Sequence, residues 1–251
     1  MQCIFAFANL GLVVQLVRIP ACHAGGRGFE SRPDRKNPPI WGIFCFFSKS
    51  SYFYLKDFEV SNKNLISKNP ALILVDIQKA FLEKDYPGFK RNNPNAELIS
   101  GNILKKWREL KLPVIHVRHS STNPNSKLHK SKPGFEFNDY VKPLNDEIVL
   151  TKKVNSAFIG TNLEEILIDN KISTLVIVGM TTNHCISTTV RMSGNLGFDT
   201  FLISDSTACY NTQGIDGKTI DCDIIYQSAL ASLNEEFAKV IGSKDLFNLL
   251  A

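Results

Sequence analysis

The sequence is informative first through what it lacks. None of its six cysteines (Cys3, Cys22, Cys45, Cys185, Cys209 and Cys222) stands in a Cys-x-x-Cys pair. That argues against a zinc knuckle and a thioredoxin-type redox pair, and six cysteines in 251 residues are too sparse for a disulfide scaffold. Free thiols in a cytoplasmic protein are the expectation. No Gly-x-Gly-x-x-Gly follows the first apolar run after residue 65, and no Gly-x-x-x-x-Gly-Lys-Ser/Thr occurs, so neither a dinucleotide nor a P-loop nucleotide is implied. No apolar run is long and unbroken enough to cross a membrane. Residues 1–17 are apolar, but the first charge of any kind is Arg18 and no clean small-x-small site follows, which does not fit a signal peptide. A nucleic-acid footprint is missing too. The net charge is +5, but +3 of it lies in residues 1–60, where Arg18, Arg27, Arg32, Arg35, Lys36, Lys49 and Lys56 face Glu30, Asp34, Asp57 and Glu59. Beyond residue 60 the bases are dispersed among acids. There is no internal repeat.

What is present is ordinary globular composition, 43% hydrophobic and 21% charged, enough to bury one sizeable core. The first sixty residues stand apart from it. The stretch from Gln15 to Pro33 resembles the peptide obtained when a bacterial tRNA gene is translated in the wrong frame; Phe29-Glu30-Ser31 is encodable as TTC-GAA-TCC, the core of a TψC arm. After Met1 the next methionine is Met180. Residues 1–64 are therefore expected to be a spurious or disordered extension, and residues 65–251 to be the folded domain.

From residue 65 onward, short apolar runs alternate with helical stripes. Ala71 to Asp76 reads as a buried strand with an acid at its end. Glu97, Ile103, Leu104, Trp107 and Leu110 form a helical stripe that Pro113 breaks. Val114 to His119 is a second strand with a polar end; His116 and His119 read as structural or substrate-facing, because a metal site would need more ligands nearby. Residues 120–147 read as a long surface loop bordering the site. Glu147 to Thr151 is a third strand, followed by Lys152 and Lys153. Thr161 with Glu164 has capping-box spacing for a helix to Asn170. Ile172 to Val178 is a fourth strand, and a helix runs from Cys185 to Leu196, where Gly197 closes it. Asp199 to Ser204, a helix from Asp223 to Phe237, an edge strand Ala238 to Ile241 and a final helix capped at Ser243 complete the order. This alternation predicts an α/β protein: one three-layer α/β/α sandwich on a mostly parallel sheet of about six strands.

Three ionisable groups end three strands, and in a parallel sheet those ends share one edge. They are Asp76, Lys152 or Lys153, and Cys185. A nucleophile, a carboxylate and a cation are what attack on a carbonyl needs. Cys185 attacks as thiolate, Asp76 moves the proton, and the lysine lowers the thiol pKa and holds the carboxylate. The N–H groups of Thr181 and Cys185 point where an oxyanion forms.

With those residues in place, the segment 70–210 resembles the isochorismatase-like cysteine hydrolase superfamily. The matching pieces are Ala71-Leu72-Ile73-Leu74-Val75-Asp76-Ile77-Gln78 with Phe81, Lys152 through Glu164 with its Asn155-Ser156-Ala157-Phe158, and Gly179-Met180-Thr181-Thr182-Asn183-His184-Cys185. The resemblance implies an Asp76–Lys152–Cys185 triad, choosing Lys152 over Lys153, and a cis peptide at Met180–Thr181. It further implies Gln78, Phe81, His119, Asn155 and Phe158 as substrate-pocket residues. True isochorismatases often lack the cysteine, so Cys185 favours hydrolysis of an amide or carbamoyl C–N bond through a thioester. Nicotinamidases carry an Asp-x-His metal site, but no histidine lies between Phe81 and Val114 here. The expectation is thus a metal-free, cofactor-free amidase, similar to N-carbamoylsarcosine amidase, acting on a small-molecule amide. A homodimer or homotetramer is expected from the resemblance alone. Vinyl-ether hydrolysis and a non-catalytic small-molecule-binding role remain alternatives.

Overall fold

The computed structural model describes residues 65–82 and 90–251; the expectations for residues 1–64 lie outside the described residues. Six parallel strands form the sheet: β1 (Ala71–Val75), β2 (Val114–His119), β3 (Ile148–Lys152), β4 (Thr174–Met180), β5 (Asp199–Ala208) and β8 (Lys239–Ile241). Their order is β3-β2-β1-β4-β5-β8. A two-stranded antiparallel hairpin, β6 (Thr212–Gln213) and β7 (Thr219–Ile220), was not foreseen from the sequence.

The period of two along β1 assigns the two cores. Ala71, Ile73 and Val75 face one layer with Ile115, Val117, Leu175 and Ile177. That layer is covered by α2 (Leu163–Asp169), α3 (Ser187–Asn195) and α4 (Cys222–Leu233), through Leu163, Leu167, Val190 and Leu233. Leu72 and Leu74 face the other layer with Val176, Val178, Phe201 and Ile203. There α1 (Ala96–Glu109) and α5 (Ser243–Leu249) close the core with Ile103, Leu104, Trp107 and Leu246. Each such aliphatic side chain contributes about 1.5–3 kcal/mol by leaving water. Trp107 also satisfies its indole N–H on the Pro70 carbonyl at 3.1 Å.

Several boundaries differ from the sequence expectation, each for a physical reason. The helix read as Asp223 to Phe237 stops at Leu233, because residues 234–238 turn back on it. The Phe237 and Ala238 N–H groups both bond the Leu233 carbonyl, and Glu235 takes a left-handed φ of 67°. β5 runs to Ala208 rather than ending at Ser204: its register against β4 shifts between Ile177 and Gly179, and the strand resumes pairing at Gly179 and Met180. Asp205, one step past the expected end, caps α5 by accepting from the Ser243 N–H at 2.9 Å and the Ser243 hydroxyl at 2.6 Å. Thr161 Oγ1 accepts from the Leu163 N–H at 3.3 Å, but the N-cap of α2 is Asn162 rather than the expected Thr161.

Residues 120–147 are more than a surface loop. Phe135, Phe137 and Val141 are buried, and Arg118 lies over the Phe135 ring at 4.3 Å. At the loop's end Glu147 collects the Arg108 Nε and Nη2 groups at 2.7 and 2.8 Å, the Leu144 N–H at 2.8 Å and His116 Nε2 at 2.9 Å. His116 is fully buried in that cluster, edge-on to Phe137, and so has a structural rather than a substrate-facing place.

Candidate active site

The strand order reverses direction at β1. The chain moves outward through β2 to β3, then returns to place β4 on the other side of β1. Such a switch point opens a crevice at the carboxyl ends of the strands, and that is where the ionisable residues gather. Asp76 follows β1 directly, with a left-handed φ of 54° that few residues bearing a side chain adopt. Its N–H is tied to the Val117 carbonyl at 2.8 Å. His119 and Lys152 are the last residues of β2 and β3 and face each other in register. β4 approaches β1 so closely at Gly179, which has φ 138°, that a Cβ there would lie 1.9 Å from the Val75 carbonyl oxygen; only glycine fits. The Met180–Thr181 peptide after it is cis. Cys185 sits in a π-turn, Thr182–Ile186, and α3 begins only at Ser187. The thiol is thus placed before the α-helix rather than in its first turn, as the sequence spacing had suggested.

The Lys152 ammonium is the centre of the arrangement. Nζ donates to Asp76 Oδ2 at 2.6 Å and to the Val154 carbonyl at 3.1 Å; it lies 3.2 Å from Cys185 Sγ and 3.4 Å from His119 Nδ1. Lys152 is 0% and Asp76 1% exposed, so the ion pair is formed away from water. Lys153 is exposed, which separates the two lysines that spacing alone left open. A carboxylate oxygen of Asp76, a ring nitrogen of His119 and Sγ lie within 4.8 Å of one another, a donor set able to hold a metal ion. In this structure the ammonium already stands among those three donors.

Burial decides the charge states. It raises the Asp76 carboxyl above the usual 3.8, against the lowering effect of Lys152. Burial first, and then the Asp76 charge, push the Cys185 thiol up to about 12, against Lys152. The expectation that Lys152 would leave a depressed thiol pKa is therefore corrected: the lysine does pull downward, but desolvation outweighs it. Cys185 rests as the thiol, and Asp76 is a stronger base than an exposed aspartate. Among the described residues Asp76 Oδ1 is buried with no hydrogen-bond partner, an open acceptor on a carboxyl group that lies beside the thiol. Burial and then Lys152 lower the His119 pKa, so its ring is neutral near pH 7.

The remaining sequence-derived residues divide. Asn155 is exposed, its Oδ1 3.8 Å from Sγ. Gln78 lies behind the site, 0% exposed, with its amide spent on backbone: Nε2 donates to the His119 and Phe135 carbonyls at 3.0 and 2.9 Å, and Oε1 accepts from the His119 N–H at 2.8 Å. Phe81 is buried against Ala96, Met180 and Ala208. Phe158 is half-buried, stacked on Phe198 at 5.9 Å and packed on the core. Sequence reasoning missed the Val154 carbonyl, which no side-chain pattern can reveal. It also missed the props under the π-turn: Thr207 Oγ1 bonds Thr182 Oγ1 at 2.9 Å, and the Cys209 thiol donates to Asn183 Oδ1 at 3.3 Å. Thr181, 7% exposed, has its Oγ1 3.1 Å from His184 Nδ1.

Comparison with known proteins places the chain in a family. The isochorismatase domain family matches residues 70–245. The chain is 47% identical over 183 residues to the uncharacterized isochorismatase family protein YrdC of Bacillus subtilis, covering 73% of this chain and 97% of that one. An isochorismatase-family protein of Chromobacterium violaceum shares its structure with a TM-score of 0.71 at 38% identity, over 74% of this chain and 96% of that one. N-carbamoylsarcosine amidase of an Arthrobacter species is 26% identical, over 68% of this chain and 76% of its own length. The chain therefore belongs to the isochorismatase family, a group of hydrolases that includes amidases.

Proposed function

We propose that this protein is a cysteine hydrolase that cleaves an amide or carbamoyl C–N bond of a small molecule through a thioester. The observation that carries the proposal is the single ammonium of Lys152 within 2.6 Å of Asp76 and 3.2 Å of Cys185. The amidase among its relatives supports it. In the proposed cycle Asp76 accepts the Cys185 S–H proton as sulfur attacks the carbonyl carbon. The N–H groups of Thr181 and Cys185 receive the developing oxyanion, each such donor typically worth about 3 kcal/mol. Collapse breaks the C–N bond, and the proton held by Asp76 leaves with the amine. Water then attacks the thioester carbonyl while Asp76 takes its proton. Collapse breaks the C–S bond, and Asp76 returns the proton to sulfur. Lys152 keeps its charge throughout, balancing whichever of Asp76 and Cys185 is anionic.

Because the thiol rests protonated, catalysis needs Asp76 ionised. The test is ammonia release from a panel of primary amides and N-carbamoyl compounds by the full chain. Turnover that vanishes in Cys185→Ala supports the proposal. Full turnover in Cys185→Ala would refute it, and would point to ether cleavage that needs no thiol.

A further inference from the structure

An ammonium group has three N–H bonds, and four acceptors surround Lys152 Nζ. Asp76 Oδ2 and the Val154 carbonyl take two, leaving the third between Cys185 Sγ at 3.2 Å and His119 Nδ1 at 3.4 Å. A neutral thiol or thioester sulfur accepts weakly, an imidazole lone pair accepts well, and a thiolate accepts best. The preferred partner of that N–H thus changes with the state of the sulfur.

We propose that His119 is a positioning residue that holds the third Lys152 N–H while the Cys185 sulfur is neutral, as thiol or as thioester, and releases it to the sulfur when the thiolate forms. Two observations support it beyond the distances. The ring hangs from a fixed point, because the His119 backbone is held on both its N–H and its carbonyl by the buried Gln78 amide. In the proposed contact Nδ1 is the acceptor, because an ammonium has no lone pair, and the ring proton is then on Nε2. The charged and polar groups facing the ring are Lys152, Asp76 and Cys185, together with the Val154 carbonyl. In the acyl-enzyme, His119 keeps the ammonium from turning away while the sulfur is a poor partner. When the C–S bond breaks and its electron pair stays on sulfur, the N–H is at hand. The inference rests on the thioester reading above for its role in turnover, but its test needs no substrate.

Iodoacetamide alkylation of Cys185 is followed against pH in the full chain, read on the Cys185 peptide by mass spectrometry. His119→Leu removes the acceptor and keeps the site dry, so the N–H stays on sulfur. The alkylation midpoint is expected to fall by about one pH unit, making the reaction about tenfold faster near neutral pH. In His119→Gln, whose amide oxygen accepts, the midpoint is expected to stay near that of the unaltered protein. A ring that merely fills space gives the opposite sign in His119→Leu, because added apolar burial raises a thiol pKa; an unchanged or raised midpoint overturns the proposal. Should His119→Leu not fold, ¹⁵N NMR of the unaltered protein decides, with the His119 signals assigned from their loss in His119→Gln. The Nε2–H tautomer upholds the proposal, and an Nδ1–H ring turned to the Val154 carbonyl overturns it. Since neither measurement uses an amide, failure of the substrate assignment and failure of this inference are distinguishable.

Discussion

Two carboxylates flank β2, Asp76 buried and Glu147 partly buried, and each has a cation and a histidine beside it. Glu147 has both oxygens satisfied by four donors, from Arg108, Leu144 and His116. Burial pushes its pKa upward, but those donors outweigh burial and hold it at about 2. Among the described residues Asp76 has one strong donor, Lys152, and an Oδ1 with no partner. There burial wins and the pKa is raised. The ingredients are nearly the same; the number of donors differs. A fully satisfied carboxylate is inert and fastens a loop. An incompletely satisfied one beside a thiol has a free site for a proton, which is the property a general base needs.

The largest effect should come from the reactive cluster. Cys185→Ala is expected to lower turnover by on the order of a thousandfold or more, and Asp76→Asn by a factor of about a hundred to ten thousand. Steady-state assays of ammonia release measure both. Next comes the inert cluster, with the opposite signature. Glu147→Gln should lower stability in urea unfolding by less than the about 3 kcal/mol that a shift from 4.5 to about 2 is worth without solvent screening, and should leave kcat within a few-fold. The sign follows from the lowered folded-state pKa. Glu147 contributes fully above pH 4.5, and its contribution is lost as pH falls towards about 2. The stability of the Glu147→Gln protein should be flatter across that window. A smaller effect separates the two carboxylates by pH. In the proposed cycle Asp76 works ionised; with its pKa raised, the acid limb of kcat/KM should lie above 3.8, where Glu147 is still fully ionised. The smallest effect is at the rim: Asn155→Ala should raise KM several-fold with little change in kcat, because its side chain is exposed 3.8 Å from the sulfur.

The comparison also shows which parts of the molecule could be read from the sequence. Asp76 was legible because an apolar run stops at it, and Cys185 because it follows the turn after another such run; strand ends in a parallel sheet meet at one edge. The alternation of strands and helices likewise carried the six-stranded layered fold. Lys152 and Lys153 were not separable by pattern, since β3 is an edge strand and its residues 148, 149 and 151 are all exposed; the resemblance pointed to Lys152, and the third dimension buries it. The thiol pKa was misjudged because desolvation depends on packing from distant segments, whereas the lysine's pull was visible as a motif. The Glu147 cluster went unseen because its side-chain partners are 31 and 39 residues away. Gln78 carried a motif signal, but the sequence could not show that its amide faces backbone rather than substrate.

The central claim is that the Cys185 sulfur becomes acylated during turnover. It is tested most directly by rapid acid quench of the full chain with the amide of the panel that turns over fastest, followed by mass spectrometry. The account predicts a mass increase equal to the substrate's acyl group, located on the Cys185 peptide and lost on treatment with hydroxylamine. Turnover that continues in the Cys185→Ala protein, with no adduct at any time point in the unaltered one, would contradict it.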